Sequence, residues 1–211
     1  MLKINLGNLK TYAQELGMLL DKYEEYKQAY KRGGVENENA MVLVDAFIAL
    51  TRFALFSEKE IELGLEISAM TKDIINEYIR VRTNGGDFWK LEHYSQDYRQ
   101  KYDIVAKMYQ VLKYESFWKF DSYMYYVEKN RPYDKRFYYP RRKVLQVVVN
   151  DLEDMEIRDM LDTYGLSMPS RVGKSGLMIF FLTWVGMRKP MSHNAMGGHS
   201  GQLVKRFFKG L

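Results

Sequence analysis

Cysteine is absent from the 211-residue chain. That excludes disulfide scaffolds, Cys-ligated zinc and thiol catalysis, and it suits a reducing compartment. Proline occurs only four times, at 132, 140, 169 and 190, so none interrupts a helix in the first 130 residues. Histidine occurs three times. His193 and His199 have no carboxylate between or beside them and His93 stands apart, so no metal-ligand spacing is present. Long apolar runs are missing too. The longest uncharged stretch, 176–187, spans about twelve residues where a membrane helix needs roughly 20. The opening MLKINLGNLK lacks the apolar core of a secretory signal. No membrane insertion is expected.

What is present describes a globular protein with uneven charge. Hydrophobic residues make up 46% and charged residues 28%, enough for a buried core in one large or two small domains. The net charge of +5 is distributed in blocks. Residues 129–143 carry seven Lys or Arg against one Asp, 144–165 carry six acids against one Arg, and 188–211 carry five bases and no acid. Basic blocks of this kind can meet nucleic acid or nucleotide phosphate. The plainer alternative is a solvated surface of alternating patches.

The first 130 residues read as helix throughout. Leu9, Tyr12, Leu16, Leu19, Leu20, Tyr23 and Tyr26 recur at helical spacing over 9–30, and Gly33-Gly34 ends that run. A second helix is expected over 39–56. Ser57 and Glu60 form a capping box that opens a third over 58–82. A fourth is expected over 87–115, with a continuation through Asn130. The stretch 88–139 holds 17 aromatic residues in 52, and their helical spacing favours interfaces between helices over base stacking. Beyond Pro132 the pattern changes. A helix is expected over 141–153 with Val144, Leu145, Val148 and Leu152 inward, then a strand within 157–168, a helix buried all round over 176–187, a strand over 191–196 and a helix over 200–208. Strand, loop, buried helix, strand is the opening of a parallel α/β unit. The expected fold is therefore an α-helical region over 1–130, followed over 131–211 by the beginning of an α/β P-loop NTPase domain with an incomplete parallel sheet. Asp151, Glu153, Asp154, Glu156 and Asp159 are read as a solvated turn.

The chemistry concentrates in Met168-Pro169-Ser170-Arg171-Val172-Gly173-Lys174-Ser175. The phosphate-loop pattern G-x-x-x-x-G-K-[ST] is met everywhere but at its first glycine, where Met168 stands. Backbone N–H groups of such a loop converge on phosphate, and Gly173 allows close approach without a Cβ. Lys174 offers a compact positive charge, Ser175 a hydroxyl ligand for Mg²⁺, and the following helix the positive end of its dipole. Arg171 either faces the γ-phosphate, as an arginine finger does, or pairs with the acidic segment 144–165.

From Phe137 to Leu211 the chain resembles the large terminase subunit of tailed bacteriophages. Tyr138-Tyr139-Pro140-Arg141-Arg142-Lys143-Val144-Leu145 is similar to the family's segment near the adenine. Leu166 to Ser175 resembles its variant Walker A, in which the first Gly is often replaced and a Pro and an Arg are usual. Ile179-Phe180-Phe181-Leu182-Thr183-Trp184 looks like the helix that follows, and His193 to Ser200 with Phe207-Phe208 like the next strand and helix. The resemblance implies a DNA-packaging ATPase in the bacterial cytoplasm, phage- or prophage-encoded. It implies ATP and Mg²⁺ as cofactors, and double-stranded DNA, the portal protein and the small terminase subunit as partners. By the same resemblance Lys174 and Arg171 act in catalysis and Ser175 holds Mg²⁺. It also implies that Pro169, Ser170, Arg171, Val172, Gly173, Lys174, Ser175, Tyr139, Arg141 and Arg142 bind ATP.

The family's Walker B strand and nuclease acids do not occur before Leu211. The chain is accordingly expected to be the front part of a longer protein, with translocation and cleavage belonging to the whole and little hydrolysis by this part alone. A helical adaptor that binds nucleic acid or a capsid partner, with a vestigial P-loop, is the competing expectation. A small P-loop kinase would need more parallel strands than remain.

Overall fold

The computed structural model describes Asp21, Val44, Asp45, Ile48, residues 58–82, 104–158 and 163–191, His193 and Lys205. The helices expected over 9–30 and 39–56 lie outside the described residues but for Asp21, Val44, Asp45 and Ile48, each helical. Ser57 and the segment 194–200 also lie outside them, as does the expected helix 200–208 apart from Lys205. The chain divides into two compact units, Met1–Tyr114 and Glu115–Leu211.

In the first unit, helix α1 (Glu58–Arg82) lies where a helix is expected from sequence, with the capping residue Ser57 and the segment 83–86 outside the described residues. Its buried positions include Gly64, Ile67, Ser68, Thr71, Ile74, Ile75 and Ile79, which recur at helical spacing and place one stripe inward. The two hydroxyls on that stripe return to the helix itself, Thr71 to the Ile67 carbonyl at 2.7 Å and Ser68 to that of Leu65 at 2.8 Å. Helix α2 (Ile104–Glu115) buries Ile104, Val105, Met108, Val111 and Leu112 by the same rule. The Tyr114 hydroxyl lies where a Cβ on Gly64 would stand, so any larger residue at 64 would have to displace the end of that side chain.

The second unit begins with a break. Rather than continuing toward Asn130, the chain turns after Glu115 and restarts as α3 (Phe120–Val127). A continuous helix would bond the Phe120 N–H to the Ser116 carbonyl. Both groups have other partners here. The Ser116 carbonyl accepts the indole N–H of Trp184 at 2.8 Å, and the Phe120 N–H is taken by the Glu153 carboxylate at 2.7 Å. Tertiary partners have replaced one helical bond with two.

Two 3₁₀ turns, Tyr133–Lys135 and Tyr139–Arg141, lead into α4 (Arg142–Arg158). The helix buries Leu145, Val148, Val149 and Leu152, whereas Val144 is 56% exposed. Val144 sits 100° around from Leu145, and Val149 occupies the inward place instead. Helix α5 (Lys174–Arg188) was expected to be buried all round, but it turns a single face inward with Leu177, Phe181, Trp184 and Val185. Helix α3 packs on both α4 and α5. Phe120 is the joint: its ring stacks on Trp184 at 5.1 Å and meets Phe181 edge-on at 5.5 Å. Each such pair adds about 0.5–1.5 kcal/mol beyond the area it buries.

The expected parallel sheet is not found. Of the described residues 75% are helical and none is in a strand. Ile157 and Arg158, assigned to a strand, complete α4, and residues 163–169 are irregular. Met191 and His193 are not in a strand, and the rest of 191–196 is outside the described residues but for these two. The run Leu161, Tyr164, Leu166 is too short to separate a strand from an extended connection by periodicity. The Tyr164 hydroxyl is bound to Asp151 at 2.8 Å, a side-chain tether to a helix where a strand would have a backbone ladder. Among the described residues this is an all-α protein. No described helix is long and apolar enough to cross a membrane.

Candidate phosphate-binding site

The loop 168–173 enters α5 through two left-handed residues. Arg171 has φ 67°, the sole positive φ among the described non-glycine residues, and Gly173 has φ 106° as the N-cap. The conformation at Arg171 costs about 1–2 kcal/mol, so the surrounding turn must enforce it. Positive and negative φ in alternation turn successive N–H groups toward one side, the arrangement of an anion nest. The first helical bond runs from the Leu177 N–H to the Gly173 carbonyl at 2.9 Å. The N–H groups of Lys174, Ser175 and Gly176 thus open the helix without an acceptor inside it, at the positive end of its dipole. Pro169, Ser170, Arg171 and Ser175 are exposed; Val172, Gly173 and Lys174 are half-buried. The Lys174 ammonium folds back and donates to the Met168 carbonyl at 2.6 Å, closing the loop.

A ring from the link between the two 3₁₀ turns underlies this loop. A Cβ on Gly173 would meet Phe137 Cε2 at 2.5 Å, and one on Gly176 would meet the same atom at 2.8 Å. Phe137 stacks on Phe180 with centroids 5.5 Å apart. The Arg141 guanidinium lies over the Phe137 ring at 5.3 Å and donates to the Phe137 carbonyl at 2.9 Å. Arg141 Cδ is 3.5 Å from where a Gly173 Cβ would stand. This side chain therefore carries an exposed positive charge to the edge of the loop.

The turn that presents Phe137 is tied down by charge. The buried Glu128 carboxylate accepts the N–H groups of Phe137 and Tyr138, both at 2.8 Å, and Arg131 at 3.0 Å. Arg136, also buried, donates to the carbonyls of Arg131 and Lys129 at 3.0 and 3.1 Å. A basic segment has here been turned partly inward, its guanidinium satisfying backbone oxygens.

The upstream residues singled out from sequence are placed differently from one another. Arg141 reaches the loop. Arg142 makes a two-pronged bond to Asp121 at 3.1 and 3.2 Å, and Asp121 also accepts the Tyr138 hydroxyl. Burial above all, then the Asp121 charge, pushes the Tyr138 phenol well above its ordinary range. Burial works against the Arg142 charge, but the hydrogen bond and charge of Asp121 outweigh it and strengthen its hold on the proton. Tyr139 packs against Tyr133 and Tyr125 at 5.4 and 6.2 Å. Arg171 has no acidic partner among the described residues.

The acidic run of α4 is not a solvated turn. Glu153 caps α3, and Glu156 holds Arg188 at 3.3 Å and Lys189 at 3.0 Å. Burial lowers the Arg188 pKa against the opposing charge of Glu156. Asp159 is outside the described residues, as are His93 and His199; His193 is exposed. Among the described residues no group of three or more His, Asp or Glu could hold a metal. Sequence reasoning missed Glu128, Asp121 and Phe137. Only Glu128 left a trace, as the one acid immediately preceding a block of seven bases.

The arrangement fits a polyphosphate. It offers unbonded N–H groups, a glycine in the left-handed region, a lysine over the turn and an arginine at its edge. No protein-family model, curated protein or solved structure matches the chain.

Proposed function

We propose that the chain binds a nucleoside triphosphate through residues 168–175, as the ATP-binding front portion of the large subunit of a phage DNA-packaging terminase. The observation that carries the reading is the turn at Gly173, left-handed and opening α5, with Lys174 folded across it to the Met168 carbonyl. The N–H groups of Lys174, Ser175 and Gly176 would receive phosphate oxygens, and the Lys174 ammonium would exchange one carbonyl for them. Arg171, at the exposed crest with no described acidic partner, favours the phosphate role over the ion pair with 144–165. Arg141 adds charge from the side. The exposed Ser175 hydroxyl would be the protein ligand of a Mg²⁺ ion, which would neutralise phosphate charge when bound.

Packaging in the host cytoplasm, and double-stranded DNA, portal protein and small terminase subunit as partners, follow from the sequence resemblance. The all-helical character of the described residues favours a second reading, a helical adaptor with a vestigial loop.

Thermal unfolding with and without MgATP separates the two. Under the first reading MgATP raises Tm, by about 2.7 kcal/mol of stabilisation at one hundred times Kd, and Lys174→Ala removes the shift. An unchanged Tm in the native chain sinks the nucleotide reading and leaves the adaptor.

A further inference from the structure

Phe137 has no group to offer a phosphate, yet the loop is built around its ring. The ring fills the space a Cβ would need at both Gly173 and Gly176, so it touches the two glycines that shape the entry to α5. It is backed by Phe180, and its carbonyl and ring both hold the Arg141 guanidinium. Its own N–H is fixed to Glu128, a carboxylate buried beneath the turn. One residue therefore joins three things: an immobile anchor, the loop's backbone and the cation at the loop's edge.

We infer that Phe137 is a positioning residue of the phosphate loop, its ring setting the turn at Gly173 and Gly176 and its carbonyl aiming Arg141, so that polyphosphate affinity depends on a side chain that touches no ligand. The inference rests on the reading of 168–175 as a nucleotide site. Preorganised N–H groups gain affinity because they need no ordering when the anion arrives. Without the ring, the left-handed turn has an open space on one side and Arg141 loses its platform. The N–H groups would then be ordered only on binding.

The test is calorimetric titration of the full chain with MgATP, well below its melting transition, beginning with the native sequence and Lys174→Ala. If the native chain takes up no MgATP, the nucleotide reading itself falls, and with it the role of Phe137. Where it binds and Lys174→Ala does not, Phe137→Ala is expected to bind weaker by on the order of tenfold with an unchanged circular dichroism spectrum. Phe137→Leu should recover part of the loss. Should Phe137→Ala not fold, Gly176→Ala presses on the same contact from the loop side. It should weaken binding in the native background and weaken it less in the Phe137→Leu background, where the facing side chain is smaller. Native affinity in Phe137→Ala, or in Gly176→Ala if the former does not fold, overturns the inference and leaves the loop reading standing.

Discussion

Glu128 is the place where a conservative change should reveal how the site is supported. Its carboxylate accepts two backbone N–H groups at 2.8 Å and Arg131 at 3.0 Å. Arg131 is 55% exposed, so that pair contributes no more than about 1 kcal/mol. The backbone bonds matter more. Tyr138 is fully buried, so its N–H cannot turn to water if the acceptor goes. Glu128→Gln keeps one oxygen for one of the two N–H groups and sets an NH₂ against the other. Orphaning one buried donor and weakening a charge-assisted bond costs about 2–3 kcal/mol. Glu128→Ala orphans both, and about 4 kcal/mol is expected from the same per-group figures. Urea unfolding followed by tryptophan fluorescence in a Trp89→Phe background reads the right part of the chain, since the other two tryptophans, Trp118 and Trp184, both belong to the second unit. The slope should stay constant while the midpoint falls. A loss under about 0.5 kcal/mol for the alanine variant would mean that the N–H groups find water, and that the turn is not held as described.

Two further outcomes follow from the same unit. Trp184→Phe keeps a ring against Phe120 but leaves the Ser116 carbonyl without its indole donor, an expected loss of about 1–2 kcal/mol. Trp184→Ala also opens a cavity and should cost about 3–5 kcal/mol; equal losses for the two would show that the hydrogen bond, not the packing, sets the stability. Burial first, opposed by the Phe120 N–H, holds the Glu153 carboxyl above its ordinary 4.5. The native state then binds this proton more tightly than the unfolded chain, so the contribution is fully present below about pH 4.5 and is lost as pH rises through the raised native value. Glu153→Gln removes that titration, so its stability relative to the native sequence should rise between about pH 4 and about pH 7. A pH-independent difference in urea midpoints refutes the assignment.

The features legible in sequence are those whose cause is local. Helix α1 follows from an apolar repeat at three-four spacing that needs nothing outside the segment itself. The inward face of α4 is legible at Leu145, Val148 and Leu152 but not at Val144, because adjacent apolar residues at 144–145 and 147–149 leave the stripe ambiguous by one position. The break after Glu115 could not be read. Its two causes, Trp184 and Glu153, lie 68 and 33 residues downstream of the groups they bind. The acidic run of α4 failed for the same reason: Arg188, the partner of Glu156, is 32 residues away. Charge in a single sequence shows what a residue carries, not what it will meet.

The correction at the loop separates two things that the phosphate-loop pattern normally joins. The groups that open α5 are contiguous: Gly173 in the left-handed region, three N–H groups after it without a helical acceptor, and Lys174 within reach of Met168. That local code needs only a helix to open. It does not need a strand behind it. What a strand end would otherwise supply is a rigid base against which the turn can be strained. Here the 128–141 turn provides that base, pinned by Glu128 and Arg136 and delivering the Phe137 ring under both glycines. The helix after the loop was therefore legible while the sheet inferred from the order of elements was not, because the local sequence specifies how the helix opens but not the element that backs it.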